Sequence, residues 1–139
     1  MIKVFLNDDL LAKHLALRIL KQLKRKNKLI LGCPGGRSLK KTYFYIGRLS
    51  TKLNIGLSNL TIVMMDEYVD KKKGKYFLVN PQSHYSCDRF SKNVIKKLLN
   101  YKKNKKNELK KENILFPSID CTDAYDKKIN EIGGIDIFL

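Results

Sequence analysis

Cysteine is scarce in this sequence and badly placed for cross-linking. The three thiols, Cys33, Cys87 and Cys121, are odd in number and far apart, and no C-x-x-C pair occurs. This spacing excludes a disulfide framework and a zinc site built on cysteine pairs; it reads as reduced thiols in a cytoplasmic protein. Long apolar runs are missing too, since none approaches the ~20 residues that a membrane span needs. The apolar start, Met1 to Leu6, runs into Asp8 and Asp9, which reads as a strand and a turn rather than as a signal peptide. Acidic residues are few, 13 against 29 Lys and Arg, and the formal net charge is +16. No metal site and no cofactor are expected.

What is present is length for one small domain, 1–139, with 43% hydrophobic residues to build a core. The positive charge admits more than one reading. It could mark a nucleic-acid surface. The lysines, however, are scattered over nearly every segment, and 11 Asn and 13 Ile accompany them. That mixture is what an AT-rich genome writes at tolerant positions. The interleaved aromatics of a base-stacking platform are lacking and no recognition motif is present, which argues against nucleic acid. Compositional drift is the plain reading, with steering of an anionic substrate as the alternative.

The stretch that organises the chain is Thr61-Ile62-Val63-Met64-Met65-Asp66-Glu67-Tyr68-Val69. Its apolar half has no helical spacing and reads as a strand buried on both faces. It meets two acids with no turn residue between. Ligands of open α/β sheets bind at the carboxyl ends of strands, so Asp66 and Glu67 stand where a sugar or nucleotide could reach them. A cap on the following segment is the structural alternative. Upstream, Lys28 to Gly32 reads as a strand that enters Cys33-Pro34-Gly35-Gly36-Arg37-Ser38, with a helix from Leu39 to about Leu53. Strand, glycine-rich turn and helix make a phosphate cradle, because glycines let backbone N–H groups approach an anion and the helix dipole favours it. Arg37 adds a forked donor and Ser38 a hydroxyl. The turn is neither a Walker A loop nor G-x-G-x-x-G.

The remaining segments alternate. Ile2 to Leu6 predicts a first strand, and Asn7-Asp8-Asp9 an N-cap for a helix from Leu10 into the basic cluster Lys24 to Lys28. His14 lies beside the apolar stripe of that helix and reads as structural. Asp70 to Lys75 predicts a solvated loop and Tyr76 to Asn80 a short apolar return. A helix is expected from the Pro81–Ser86 turn to about Tyr101, then a basic loop over Lys102 to Lys111. Ile114 to Phe116 and Ile135 to Leu139 predict the last strands, with a helix over Cys121 to Ile132 closed by Gly133-Gly134. The alternation argues a three-layer α/β fold, a mostly parallel, doubly wound, Rossmann-like sheet with helices on both faces, incomplete at the C-terminus.

Four blocks together resemble the glucosamine-6-phosphate deaminase/isomerase and 6-phosphogluconolactonase superfamily. Leu31 to Ser38 resembles its phosphate loop, usually L-G-x-P-T-G-x-T. Met65-Asp66-Glu67-Tyr68-Val69 matches the deaminase branch's M-D-E-Y-V. Asn80-Pro81-Gln82-Ser83-His84-Tyr85-Ser86 resembles H-P-E-S-Y-x-S. Gly133 to Leu139 resembles the strand leading into a G-G-x-G-x-D-G-H block. The order agrees over the whole chain, which corresponds to about the N-terminal half of a full-length member.

The resemblance implies an aldose–ketose isomerase and deaminase of amino-sugar metabolism, converting glucosamine 6-phosphate to fructose 6-phosphate and ammonia. It implies that Asp66 is the general base moving a proton between C2 and C1, with Glu67 beside it in the site. It implies that Gly35, Gly36, Arg37 and Ser38 hold the 6-phosphate, with Ser83 and Tyr85 near the substrate. The departures are Gly35 for the usual Thr, Leu39 for the usual Pro, a longer, lysine-rich Val69–Pro81 segment, and no Asp-Gly-His segment. Alternatives are a 6-phosphogluconolactonase, although Met-Asp-Glu-Tyr-Val favours the deaminase, and a non-catalytic phosphosugar-binding remnant. The chain alone is expected to be incomplete for catalysis and marginally stable. Its expected partners are a small sugar phosphate and either an oligomer or a complementing C-terminal half.

Overall fold

The computed structural model describes residues 2–119 and 122–139; Cys121 lies outside them. Helix α1 (Asp8–Lys26) starts where the Asn7 side chain accepts the Leu10 N–H and places Asp8 and Asp9 in its first turn, Lys24 to Lys26 in its last. Both charge sets suit the helix dipole. It stops at Asn27, left-handed at φ 57°, whose N–H reaches the Leu23 carbonyl at 2.9 Å. Strand β1 (Leu29–Cys33), helix α2 (Lys40–Lys52) and strand β2 (Leu60–Met64) follow. Next come the short strands β3 (Val69–Lys72) and β4 (Lys75–Leu78), then α3 (Cys87–Phe90), a π-helical stretch (Ser91–Ile95) and α4 (Lys96–Leu99). Strand β5 (Ile114–Leu115), helix α5 (Thr122–Glu131) and strand β6 (Ile137–Phe138) complete the chain.

The main sheet has the order β5-β2-β1-β6, every pair parallel, with Leu29 to Cys33 of β1 in register with Leu60 to Met64 of β2. Alternation along β1 sorts its side chains into two layers. Leu29, Leu31 and Cys33 pack with Leu60, Ile62 and Met64 against α1, α2, Cys87, Ile95 and Leu99. On the opposite face Ile30, Val63 and Leu115 meet Tyr125, Ile129 and Ile132. The result is the three-layer α/β architecture expected. Because β2 and β5 extend the sheet to one side of β1 and β6 to the other, the strand order reverses at β1, the kind of position where open sheets bind ligands.

Three expectations are corrected. Ile2–Leu6 forms no strand: Ile2, Val4 and Leu6 are at least 90% exposed, and the Phe5 ring lies 5.0 Å from that of His14. The sheet's outer edges are the two-residue strands β5 and β6, too short to template a five-residue ladder. Asp70 to Lys75 is not a solvated loop: Val69 to Leu78 form an antiparallel hairpin, β3 with β4, turning at Lys73 and Gly74, and the apolar return expected from Tyr76 supplies its second strand. Both turn residues have positive φ, 49° and 77°, the signature of a type I′ turn, whose twist matches the strands it joins. The helix expected from the Pro81–Ser86 turn to Tyr101 begins at Cys87, ends at Leu99 and carries a π-helical turn in its middle. Cys33 and Cys87 are free and buried.

Candidate functional site

The carboxyl end of β1 delivers the turn Pro34 to Leu39. Gly36 has φ 131° and open space around its Cα, a backbone state glycine adopts without strain. Among the described residues, no hydrogen bond is donated by the backbone N–H of Gly35, Gly36, Arg37 or Ser38. Four consecutive uncommitted amides ahead of α2 are donors of the kind an anion takes.

The neighbouring strand delivers the acids. The Met65 N–H donates to the Cys33 carbonyl at 3.1 Å, continuing the β1–β2 ladder one residue past the strand. The Tyr125 hydroxyl lies 2.7 Å from the Met64 carbonyl and 3.1 Å from that of Leu115, tying the ends of β2 and β5 together. Asp66 is thereby turned toward the glycine turn. A Cβ built on Gly35 would stand 3.5 Å from Asp66 Oδ1 and 2.5 Å from the Cys87 sulfur. The Cys87 thiol thus occupies the space a side chain at position 35 would fill, and it points at Asp66, with Sγ 3.9 Å from Oδ1. Burial first, then the charges of Asp66 and Glu67, push that thiol up to about 11. At neutral pH it remains a protonated donor and a weak nucleophile.

Glu67 faces elsewhere. Its Oε1 accepts the N–H groups of Tyr68 and Cys87, both at 2.9 Å. Its Oε2 accepts the Asp88 N–H at 2.8 Å and the Ser86 hydroxyl at 2.9 Å. Burial pushes the carboxyl up, but the three N–H groups and the hydroxyl outweigh it and hold Glu67 below the usual glutamate range. With four donors on two oxygens, Glu67 anchors the start of α3 and has little capacity left for a ligand.

The turn and Asp66 face one cleft of about 240 Å³, lined by Gly35, Gly36, Arg37, Asp66, Tyr68, His84, Tyr85, Ser86, Cys87 and Phe90. Asp66 is the one carboxylate among those residues. One wall is aromatic: Tyr85 meets Tyr68 edge-on at 5.5 Å and His84 at 5.1 Å. The structure therefore brings Gly35, Gly36, Arg37, Asp66 and Tyr85 together. Ser38 lies on the other side of Arg37, lining a groove with Asp8, Lys40, Lys41, Phe44 and Leu98. Ser83 is not a lining residue; its N–H and carbonyl close the turn from Asn80 to Ser86. Sequence reasoning passed over His84, Cys87 and Tyr68. The signal available for Cys87 was indirect: glycine where the phosphate-loop pattern has threonine leaves a volume for something else to fill.

The arrangement can hold a phosphate on the amides and Arg37, with a carboxylate to move a proton nearby. No protein-family model matches the chain. Two curated proteins are similar to it. A glucosamine-6-phosphate deaminase of Bacteroides thetaiotaomicron is 34% identical over 111 residues, covering 79% of this chain and 37% of that protein. A glucosamine-6-phosphate deaminase of Fusobacterium nucleatum subsp. nucleatum is 29% identical over 135 residues, covering 89% of this chain and 43% of that protein. The chain spans less than half the length of either relative. Among solved structures, a monomeric glucosamine-6-phosphate deaminase superposes with a TM-score of 0.71 at 20% identity, covering 95% of this chain and 51% of that one. A 6-phosphogluconolactonase from Shewanella baltica superposes with a TM-score of 0.60 at 13% identity, covering 94% of this chain and 50% of that one.

Proposed function

The chain belongs to the superfamily of glucosamine-6-phosphate deaminases and 6-phosphogluconolactonases, and on that premise we propose that it binds a sugar 6-phosphate in the Asp66 cleft as part of a deaminase-type site. The observation that carries this reading is that Gly35, Gly36 and Arg37, whose amides donate no hydrogen bond among the described residues, line one cleft with the Asp66 carboxylate. The 6-phosphate sits on those amides and the Arg37 guanidinium, whose planar fork suits phosphate oxygens. The sugar then extends along the aromatic wall toward Asp66. In the aldose–ketose step Asp66 removes the C2 proton and returns it to C1, a task for a positioned carboxylate. The Cys87 thiol holds one oxygen of Asp66 in place by donating to it, and Glu67 fixes the backbone from which Asp66 projects.

The 139 residues contain no Asp-Gly-His segment of the kind the resemblance leads one to expect. We therefore assign phosphosugar binding to these residues and make turnover depend on that segment. A lactonase would use the same phosphate turn; Met65-Asp66-Glu67-Tyr68-Val69 favours the deaminase. The test is amide chemical-shift titration of the 139-residue chain with glucosamine 6-phosphate, with ammonia release followed in parallel. Expected are saturable shifts at Gly35 to Ser38, weakened about tenfold or more by Arg37→Ala, as for loss of a charge-assisted contact of ~1.5–3 kcal/mol. Asp66→Asn should keep the shifts at the turn. Shifts confined to Lys102–Lys111 would overturn the site, and ammonia release by the chain alone would overturn the dependence on the further segment.

A further inference from the structure

The Asp66 cleft shares a wall with a larger one. Beyond Arg37, His84 and Phe90 lies a cleft of about 410 Å³ whose other lining residues are Lys40, Arg89, Asn93 and Val94. Its chemistry differs in kind from the first. Three permanent cations, an imidazole and an amide converge there, and no carboxylate is among the lining residues. They come from three segments: Arg37 from the phosphate turn, Lys40 from the first position of α2, and Arg89 and Asn93, four residues apart, from the α3 and π-helical face.

The nearest acids lie outside this cleft: Asp66 lines the adjoining one with Arg37, and Asp8 a groove with Lys40. Asp88 is paired with Lys92, while Asp8 and Asp9 are paired with Lys41. Among the described residues neither Arg37 nor Lys40 has a side-chain hydrogen bond or ion pair, and Arg89 donates to the Gln82 carbonyl at 3.3 Å. Cations gathered in a concave site without counter-charges repel one another and focus a positive potential, which an anion relieves. The Phe90 and Val94 side chains give the same cleft an apolar side.

We propose that this second cleft binds a second phosphate group of the same ligand, so that the chain takes sugars carrying two phosphates, one on each side of Arg37. This rests on the reading of Gly35 to Ser38 as the first phosphate site. Three cations and an amide exceed what one phosphate at the glycine turn can engage. Arg37, common to both clefts, is the natural bridge, since its guanidinium presents five donors in a fixed fork.

The experiment is calorimetric titration of the 139-residue chain with fructose 6-phosphate and with fructose 1,6-bisphosphate at one ionic strength. The bisphosphate should bind at least tenfold more tightly. The double variant Lys40→Gln/Arg89→Gln, both exposed positions, should abolish that advantage while leaving fructose 6-phosphate affinity within about twofold. A charge-matched control, Lys105→Gln/Lys106→Gln in the distant basic loop, should keep it. Equal affinity for the two sugars, an advantage surviving in Lys40→Gln/Arg89→Gln, or an equal loss in the control would overturn the second site and leave the first intact. Failure of fructose 6-phosphate to bind at all would remove the first site and this one with it.

Discussion

Glu67 shows how one carboxylate can be spent on architecture while its neighbour Asp66 lines a cleft. Four donors converge on it, from Tyr68, Ser86, Cys87 and Asp88, and together they overcome the upward pressure of burial to lower its pKa. A carboxylate whose folded pKa is depressed contributes stability above its unfolded value and loses it as pH falls through the folded value. Wild-type stability should therefore hold above the unfolded glutamate value of ~4.3 and decline below it. Denaturant titrations at pH 6 and pH 3 should show the Glu67→Gln variant losing less over that interval than wild type, because an amide has no proton to take up. Glu67→Ala should cost ~1–3 kcal/mol at pH 6, toward the lower figure because solvent screens a half-buried group. A Glu67→Gln variant with the wild-type acid response would remove this role. The sequence placed Asp66 and Glu67 at a strand end because a buried apolar run stops there. It could not divide their tasks, since two of the three amides that claim Glu67, and the Ser86 hydroxyl, come from about twenty residues downstream. His84 and Cys87 were illegible for the same reason: their meaning depends on which loop the sheet brings opposite them.

At the scale of elements the tightest constraint is the crossing of α2 and α4. A Cβ on Gly47 would stand 1.9 Å from the Leu98 carbonyl oxygen and 3.2 Å from that of Leu99, both backbone atoms that cannot rotate away. Gly47→Ala should force the two helices apart and cost ~1–3 kcal/mol or more, the price of overpacking a close contact. Thermal unfolding should show a loss well beyond that of an exposed-helix control such as Lys52→Ala; equal values would refute the close crossing. Gly32 makes an instructive contrast. A Cβ there would meet the Phe138 ring at 2.4 Å, but that ring is 54% exposed and free to swing outward. Strands β1 and β2 were legible because both faces of each are buried, which leaves an apolar run with no polar alternation. Ile2–Leu6 has similar residues but only two-residue edge strands to pair with, and pairing is a property of the sheet rather than of the segment. The β3–β4 hairpin hid behind its lysines. Its one local signal was the Lys73-Gly74 turn, where only the glycine favours positive φ. The π-helical turn at Ser91–Ile95 leaves no trace in apolar spacing.

For the molecule as a whole two opposing surface features meet. The chain carries a formal charge of +16, so copies repel one another and like charges within a copy strain the fold. It also exposes apolar side chains that invite contact: Ile2, Val4 and Leu6 on the N-terminal segment, and Tyr76, Phe77 and Leu78 on β4. A two-stranded hairpin with both long edges open is a ready template for pairing. Salt acts on the two features differently. Raising ionic strength from ~0.01 M to 0.15 M shortens the Debye length from ~30 Å to ~8 Å and screens the repulsion, while apolar contact is little affected. Self-association measured by sedimentation velocity should therefore rise with salt, and the unfolding midpoint should rise with it. Sugar-phosphate affinity should fall over the same range, because attraction between the cationic clefts and an anion is what the salt screens. The two trends in opposite directions are the signature of this balance. Association that weakens as salt is added would show that ion pairs between copies, not apolar edges, hold the contact.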